Sequence, residues 1–272
     1  MDLGLSGLRA VVTGGSRGIG KAIVTRLAEE GARVAFCGRS ESPGRALEAE
    51  LSTRGLMATF VAADTETDAG IDRLAAQVLD AGPVDILVNN VGGSANPEAA
   101  GQGFLNIPTS EWMQTYYKCV VGAVRLIDAL VPSMRERGWG RVINISSAGG
   151  LEPPDNMPAE YAAAKAAMNT MTMSLSRTLA RTGVTVNTVT PGPVLTEGFQ
   201  SWMEQVAKDN GWGTDLAAIE KRFVTEVLPL TAGRLGRPAD IASAVAYIAS
   251  VHSDFVTGSN FRVDGGLSRA AL

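Results

Sequence analysis

Short apolar runs rich in β-branched residues alternate with longer stretches of helical periodicity, from the start of the chain almost to its end. The short runs predict strands at Arg9–Thr13, Arg33–Cys37, Met57–Ala62, Asp85–Val88, Arg141–Ile145, Thr185–Val189 and Asn260–Val263. The longer stretches predict helices at Ile19–Glu30, Pro43–Arg54, Thr67–Ala81, Ser110–Glu136, Ala159–Arg181 and Pro238–Ala249. Strands that alternate with helices imply βαβ units and a parallel sheet covered on both faces. The strands are continuous apolar runs rather than alternating ones, as a doubly covered sheet requires. No repeat, low-complexity tract or Pro/Ser-rich linker divides the chain. The expected fold is therefore α/β, a doubly wound Rossmann-like parallel sheet, formed as a single domain over residues 1–272.

Composition narrows the function classes. At 45% hydrophobic and 19% charged, the chain has ample material for a core. A net charge of -4 argues against nucleic-acid binding, which needs clustered Lys and Arg. No run of about 18 uncharged apolar residues suggests a membrane span. Met1–Gly7 lacks the basic segment and long apolar stretch of a secretory signal, so cytoplasmic residence is expected. Cys37 and Cys119 are the only cysteines and His252 the only histidine, which suggests neither a disulfide framework nor a metal site. His252, in the polar stretch Ser250–Asp254, reads as a surface residue.

Chemistry enters just after the first strand, with Thr13-Gly14-Gly15-Ser16-Arg17-Gly18-Ile19-Gly20 leading into a helix. Glycines permit a tight turn and close backbone approach to a phosphate, and a helix N-terminus favours negative charge. Three residues separate Gly14 from Gly18, unlike the G-x-G-x-x-G spacing. Asp64 follows the third strand, Asn89-Asn90-Val91-Gly92 the fourth and Ser146-Ser147 the fifth. Tyr161-x-x-x-Lys165, Pro191-Gly192-Pro193-Val194-x-Thr196 and Val263-Asp264-Gly265-Gly266 complete the series. Ligands of open α/β sheets bind at such strand ends. Tyr161 and Lys165, four apart in a predicted helix, share one face.

In this order the motifs resemble the short-chain dehydrogenase/reductase family, in its single-domain Tyr-x-x-x-Lys branch, over roughly Leu8–Leu267. The resemblance implies an NAD(P)-dependent oxidoreductase acting on a small-molecule carbonyl or alcohol. Tyr161 would be the general acid or base at the substrate oxygen, and Ser147 would hydrogen-bond that oxygen, with Ser146 its substitute if the register slips. Lys165 would hold the nicotinamide ribose, and its charge would lower the phenol from its ordinary pKa of about 10. Gly14, Ser16, Arg17, Gly18, Ile19 and Gly20 would cradle the dinucleotide, and Asp64 would contact the adenine. Asn90, Gly92, Pro191, Val194 and Thr196 would line the rest of the cleft.

Charge helps choose the cofactor. NAD-preferring folds usually place an acid after the second strand, and here Gly38 stands there, followed by Arg39. Arg39 and Arg17 suit a 2′-phosphate, which favours NADP(H), with NAD(H) as the alternative. Glu41 would weaken that argument if it folded back, and both arginines would be mere surface residues on the blander reading. One departure stands out. Where the family has an asparagine relaying to the lysine, this chain has Cys119, a weak hydrogen-bonding group. Water, Lys118 or a backbone group would then substitute, or activity would be reduced; the rival reading it motivates is a non-catalytic dinucleotide-binding regulatory protein. The thiol itself reads as a small buried side chain.

Between Thr196 and Pro238 the pattern loosens into a partly amphipathic insertion containing Phe199, Trp202, Met203, Trp212 and Phe223. By resemblance, residues 196–238 form a lid on the substrate side, with Met157 and Trp112 further candidates for the pocket. The Ala159–Arg181 segment is apolar around most of its circumference, which suggests burial in a subunit interface. The resemblance implies a homodimer or homotetramer.

Overall fold

Strand residues alternate between two faces, and in this protein both faces are covered by apolar side chains. In the computed structural model, which describes residues 1–96, 104–155 and 157–269, the strands are β1 (Arg9–Val12), β2 (Arg33–Gly38), β3 (Ala58–Ala62), β4 (Ile86–Asn89), β5 (Gly140–Ile145), β6 (Val184–Pro191) and β7 (Asn260–Val263). They form one parallel sheet in the order β3-β2-β1-β4-β5-β6-β7. Ala10 and Val12 of β1 enter one core layer with Ile23, Leu27, Leu47 and Val245, while Val11 enters the other with Leu74, Leu126 and Leu130. The first layer is built under α1 (Gly18–Glu29), α2 (Glu41–Thr53) and α9 (Pro238–Ala249), the second under α3 (Asp68–Asp80) and α5 (Gly122–Arg137). All seven expected strands are present, with ends shifted by a residue or two. The chain order reverses between β1 and β4, so their C-terminal ends open the crevice where such folds bind ligands.

Two expectations change. The single helix expected over Ser110–Glu136 is instead α4 (Thr109–Tyr116) and α5, joined by one π-helical turn, Tyr117–Val121. In that turn the Gly122 N–H donates to the Tyr117 carbonyl, five residues back. The extra residue shifts the buried face, so that Cys119 and Val120 pack on Ala164 and Tyr161 of α6 (Ala159–Thr178). Such turns often occur at functional sites. Apolar periodicity does not reveal one inserted residue. α6 itself stops at Thr178 rather than Arg181, whose left-handed φ of 64° cannot continue a helix. Within 196–238, the loosened pattern conceals α7 (Glu197–Asp209) and α8 (Leu216–Glu226). The Thr196 and Asp215 side chains cap them by accepting from Phe199 N–H and Ala218 N–H. These helices bury Met203, Ile219, Phe223 and Leu235 in a small cluster of their own.

A buried polar network ties the sheet centre to α6. Asn89 Nδ2 donates to Asn144 Oδ1 (2.8 Å), and Asn144 Nδ2 donates to Thr172 Oγ1 (2.9 Å). Thr188 Oγ1 also donates to Thr172 Oγ1 (2.9 Å), which in turn donates to the Met168 carbonyl (2.9 Å). The Thr172 hydroxyl thus uses its one donor and both acceptor positions. Replacing Asn144 with Ala strands the buried Thr172 and Asn89 groups and leaves a void, so Asn144→Ala should lose about 2–4 kcal/mol of stability. Urea denaturation at unchanged m-value checks this, and a loss below about 0.5 kcal/mol would show that the network is dispensable.

Candidate functional site

The glycine-rich turn is shaped by close backbone contacts. Gly14 and Gly18 have φ of 63° and 52°, a region that disfavours other residues. A Cβ on Gly20 would fall 2.0 Å from the Gly14 carbonyl oxygen. Asn90 fastens the turn to β4: its Nδ2 donates to the Thr13 and Gly14 carbonyls, at 2.9 and 3.2 Å, and Thr13 Oγ1 accepts from the Asn90 and Val91 N–H groups. α1 then begins with no side-chain cap and no acid in its first turn, which leaves its N–H groups and dipole open to an anion. This cradle fits a dinucleotide phosphate.

Beside it lies a cavity of about 610 Å³ lined by Ser147, Tyr161 and Lys165. Ser147 stands just after β5, where its hydroxyl accepts from Gly149 N–H at 3.2 Å and lies near enough to the Tyr161 phenol to lower its pKa. Ser146 points away, donating to the Lys165 carbonyl at 3.1 Å. Tyr161 and Lys165 rise from one face of α6, with Lys165 Nζ 5.8 Å from the centre of the Tyr161 ring. The buried ammonium donates to the Ile145 carbonyl at 2.7 Å and keeps donor capacity toward the cavity. A Cβ on Gly92 would fall 2.7 Å from that ammonium, so glycine lets the β4 loop pass over it. Burial pushes the Tyr161 phenol up to about 12, the neighbouring Cys119 adds to this, and the Ser147 hydroxyl pulls the other way. Burial draws Lys165 down, with Cys119 opposing. In this structure desolvation outweighs the lysine's expected lowering of the phenol.

Cys119 is fully buried, its Sγ 3.7 Å from the Gly93 carbonyl. Lys118 does not take the missing asparagine's place, because it pairs with Glu66 at 3.3 Å. Cys37 is also buried, and its thiol is pushed up to about 11 by desolvation, so it is a poor nucleophile.

A second cavity, of about 360 Å³, adjoins the first through Asn90 and Gly92. Arg17, Arg39, Asp64 and Gly38 all line it, with Lys118, expected above only as a stand-in for the missing asparagine, and Glu66, which the sequence reading passed over. Arg39 pairs with Glu66 at 3.0 Å but is 62% exposed, so the pair is worth about 0–1 kcal/mol and yields readily to a stronger anion. Glu41 does not fold back toward Arg39; it lies 3.6 Å from Arg45. Asp64 is partly occupied by the backbone, accepting from Glu66 N–H at 3.0 Å. Ile19, Pro191, Val194 and Thr196 line the larger cavity, and Ser16 the smaller.

From the insertion, Phe199 and Trp202 face the larger cavity, as does Met157. Trp112 does not line it. Its ring packs edge-on against Phe104. Ser94 and Glu160 were missed altogether: Ser94 lines the cavity and donates to Glu160 Oε1 at 2.6 Å. No short motif marks that pair. Among the described residues no His/Cys/Asp/Glu group could hold a metal, and no helix is long and apolar enough to cross a membrane.

Comparison with known proteins agrees with this geometry. The family described as short chain dehydrogenase matches residues 9–207. The chain is 38% identical to an uncharacterized oxidoreductase of Bacillus subtilis, with all of both chains covered. It is 36% identical to the 3-oxoacyl-[acyl-carrier-protein] reductase of Vibrio cholerae, over 97% of this chain and 99% of that one. Among solved structures, L-sorbose reductase from Gluconobacter frateurii, complexed with NADPH and L-sorbose, superposes with a TM-score of 0.90 at 31% identity, over 99% of this chain and 100% of that one.

The buried phenol should resist ionisation. Difference titration of wild type against Tyr161→Phe, read by tyrosinate absorbance, should show no Tyr161 component up to pH about 10, the ordinary tyrosine value. A Tyr161 step near neutrality in the cofactor-free protein would contradict the site's electrostatics.

Proposed function

Because the chain belongs to the short-chain dehydrogenase family, we propose that it interconverts a carbonyl and a secondary alcohol with NADP(H), using Tyr161 as general acid and base. The observation that carries this reading is the convergence of the Ser147 hydroxyl, the Tyr161 phenol and the buried Lys165 ammonium on one cavity beside an anion-ready helix N-terminus. When bound, the nicotinamide supplies or accepts the hydride at the reacting carbon.

The chain's own groups handle the oxygen. Ser147 and Tyr161, which line the same cavity, would both contact the substrate oxygen. A phenol held above its usual pKa is protonated near neutrality, which suits it to give a proton to a carbonyl oxygen during reduction. Oxidation of an alcohol needs the opposite transfer, and a positive charge close to Tyr161 would ease it by favouring the phenolate. Lys165 supplies one such charge, and the oxidised nicotinamide would supply another. Lys165, with donor capacity toward the cavity, would also hold the nicotinamide ribose.

Arg39, Arg17 and Lys118 around the smaller cavity, with Gly38 in place of an acid, support NADP(H) over NAD(H), and the NADPH complex of the similar L-sorbose reductase supports the same choice. The α7–α8 segment, which packs chiefly on itself and overhangs the cavity through Phe199 and Trp202, would act as the lid. Exposed Met113, Tyr116, Val124 and Met173 on the neighbouring helices α4–α6 support a homo-oligomer.

Tyr161→Phe should lower kcat for ketone reduction by about 10²–10⁴-fold in a stopped-flow NADPH assay, and retention of the wild-type rate would end its acid–base role. With the phenol raised toward about 12, wild-type kcat/KM for reduction should stay flat through neutrality and fall only at alkaline pH as the proton is lost. A fall centred near pH 7 would contradict this. Arg39→Ala should weaken NADPH binding about ten-fold, the worth of one charge-assisted hydrogen bond, and leave NADH binding unaltered. Fluorescence titration of both nucleotides reads this directly, and an equal loss for both would argue against a 2′-phosphate contact.

A further inference from the structure

The larger cavity has an apolar wall, with Met157, Phe199, Trp202, Leu228 and Leu267, and a polar corner that the reaction above does not use. That corner is Ser94, in the loop after β4, only 8% exposed. Its hydroxyl donates to Glu160 Oε1 at 2.6 Å and accepts from Asn96 N–H at 3.0 Å. A hydroxyl has one donor and two acceptor positions, so the remaining capacity of Ser94 is a single lone pair. Glu160 is 2% exposed, and its Oε2 has no hydrogen-bond partner among the described residues. An acid in the first turn of a helix ordinarily serves the helix dipole. Here its carboxyl reaches instead to a residue of the substrate cavity, and leaves an acceptor unsatisfied where that costs about 1–3 kcal/mol.

We propose that Ser94, oriented by Glu160, is a specificity-determining acceptor, and that the substrate is a carbonyl compound bearing a hydroxyl group that donates to it. The Ser94 proton is already spent on Glu160, so a ligand lacking a donor leaves the remaining Ser94 lone pair unfilled. Sites built to hydrogen-bond a substrate hydroxyl reject the analogue without it far more strongly than apolar pockets reject a missing methylene. Glu160 is a positioning residue: it turns the Ser94 proton away from the cavity and its lone pair toward it. Three anchors hold the loop, since Ala95 N–H donates to Thr115 Oγ1 at 2.8 Å and Asn96 Nδ2 reaches Glu111 Oε1 at 3.4 Å. Loss of the Ser94 anchor alone would therefore not release it. This proposal rests on the carbonyl/alcohol reading above and names its substrate class.

The test is calorimetric binding of 2-pentanone and its 1-, 3-, 4- and 5-hydroxy derivatives to the NADPH-loaded Tyr161→Phe protein, which does not depend on turnover. At least one hydroxyketone should bind about ten-fold more tightly than 2-pentanone, the worth of one hydrogen bond to a buried polar group. Adding Ser94→Ala should bring that ratio to about one, whereas Ser94→Thr, which keeps the hydroxyl, should retain it. Glu160→Gln, with an amide oxygen that still accepts from Ser94, should keep more of the ratio than Glu160→Leu. Equal affinity for all five ketones, failure of all to bind, or a ratio that survives Ser94→Ala overturns the proposal. Wild-type NADPH consumption is read separately. A preferred hydroxyketone that binds but is never reduced would sink the catalytic reading while leaving the acceptor role standing, and turnover without preference would do the reverse.

Discussion

The Thr172 hydroxyl is where the sheet and the helix carrying Tyr161 and Lys165 are joined by hydrogen bonds. It lies two turns beyond Lys165 and is held by side chains from β5 and β6, with β4 linked through Asn89. Apolar packing between a helix and a sheet is non-directional and allows sliding, whereas a hydroxyl with its donor and both acceptor positions taken does not. The consequence for the site is a fixed height of α6 above the strand ends. At that height Lys165 Nζ meets the Ile145 carbonyl, Ser146 meets the Lys165 carbonyl, and Ser147 meets the Tyr161 phenol. Three strand-end contacts thus depend on one buried polar junction farther down the same helix.

The same burial that makes the junction rigid makes the site electrically tense. A phenol raised toward 12 and an ammonium drawn down are both groups whose charged forms are poorly solvated where they stand. Among the described residues neither has an ion-pair partner, and Cys119 provides little hydrogen bonding beside them. The smaller cavity has the opposite character: an exposed Arg39 and a mostly buried Lys118 share one carboxylate, Glu66, and the Arg39 pair is weak enough to be exchanged. On the proposed reading the two ends answer two tasks. The adenosine end captures an anion by exchanging a weak surface pair, and the reacting end keeps a proton in place until a charge arrives to release it.

The ordered strand-end motifs were legible in the chain because each is local. A turn that needs φ near 60° at Gly14 and Gly18 advertises itself by glycine, and a Tyr and Lys four apart share a face on any helix. The alternation of short apolar runs with longer periodic stretches carried the sheet, and even its edge strands fell within a residue or two of expectation. The π turn at Tyr117–Val121 was illegible because one extra residue leaves the apolar pattern nearly unchanged, yet it carries Cys119, which packs against Tyr161 and Ala164. The helices of the insertion are as amphipathic as those that lie on the sheet, so their stripes were present in the chain; what it did not show is that these stripes bury mainly against each other.

By itself, then, the sequence determined the doubly wound fold, the glycine cradle, Ser147 just after a strand and Tyr161 with Lys165 on one helix face, since short-range sterics and periodicity specify all of these. Only the tertiary structure decided what surrounds them. It paired Arg39 and Lys118 with Glu66 across three separate segments, set a buried Glu160 against Ser94 from 66 residues away, and lifted the Tyr161 phenol rather than lowering it. The physical reason is common to all three. Desolvation and long-range pairing depend on which surfaces meet, and no local stretch of the chain encodes that meeting.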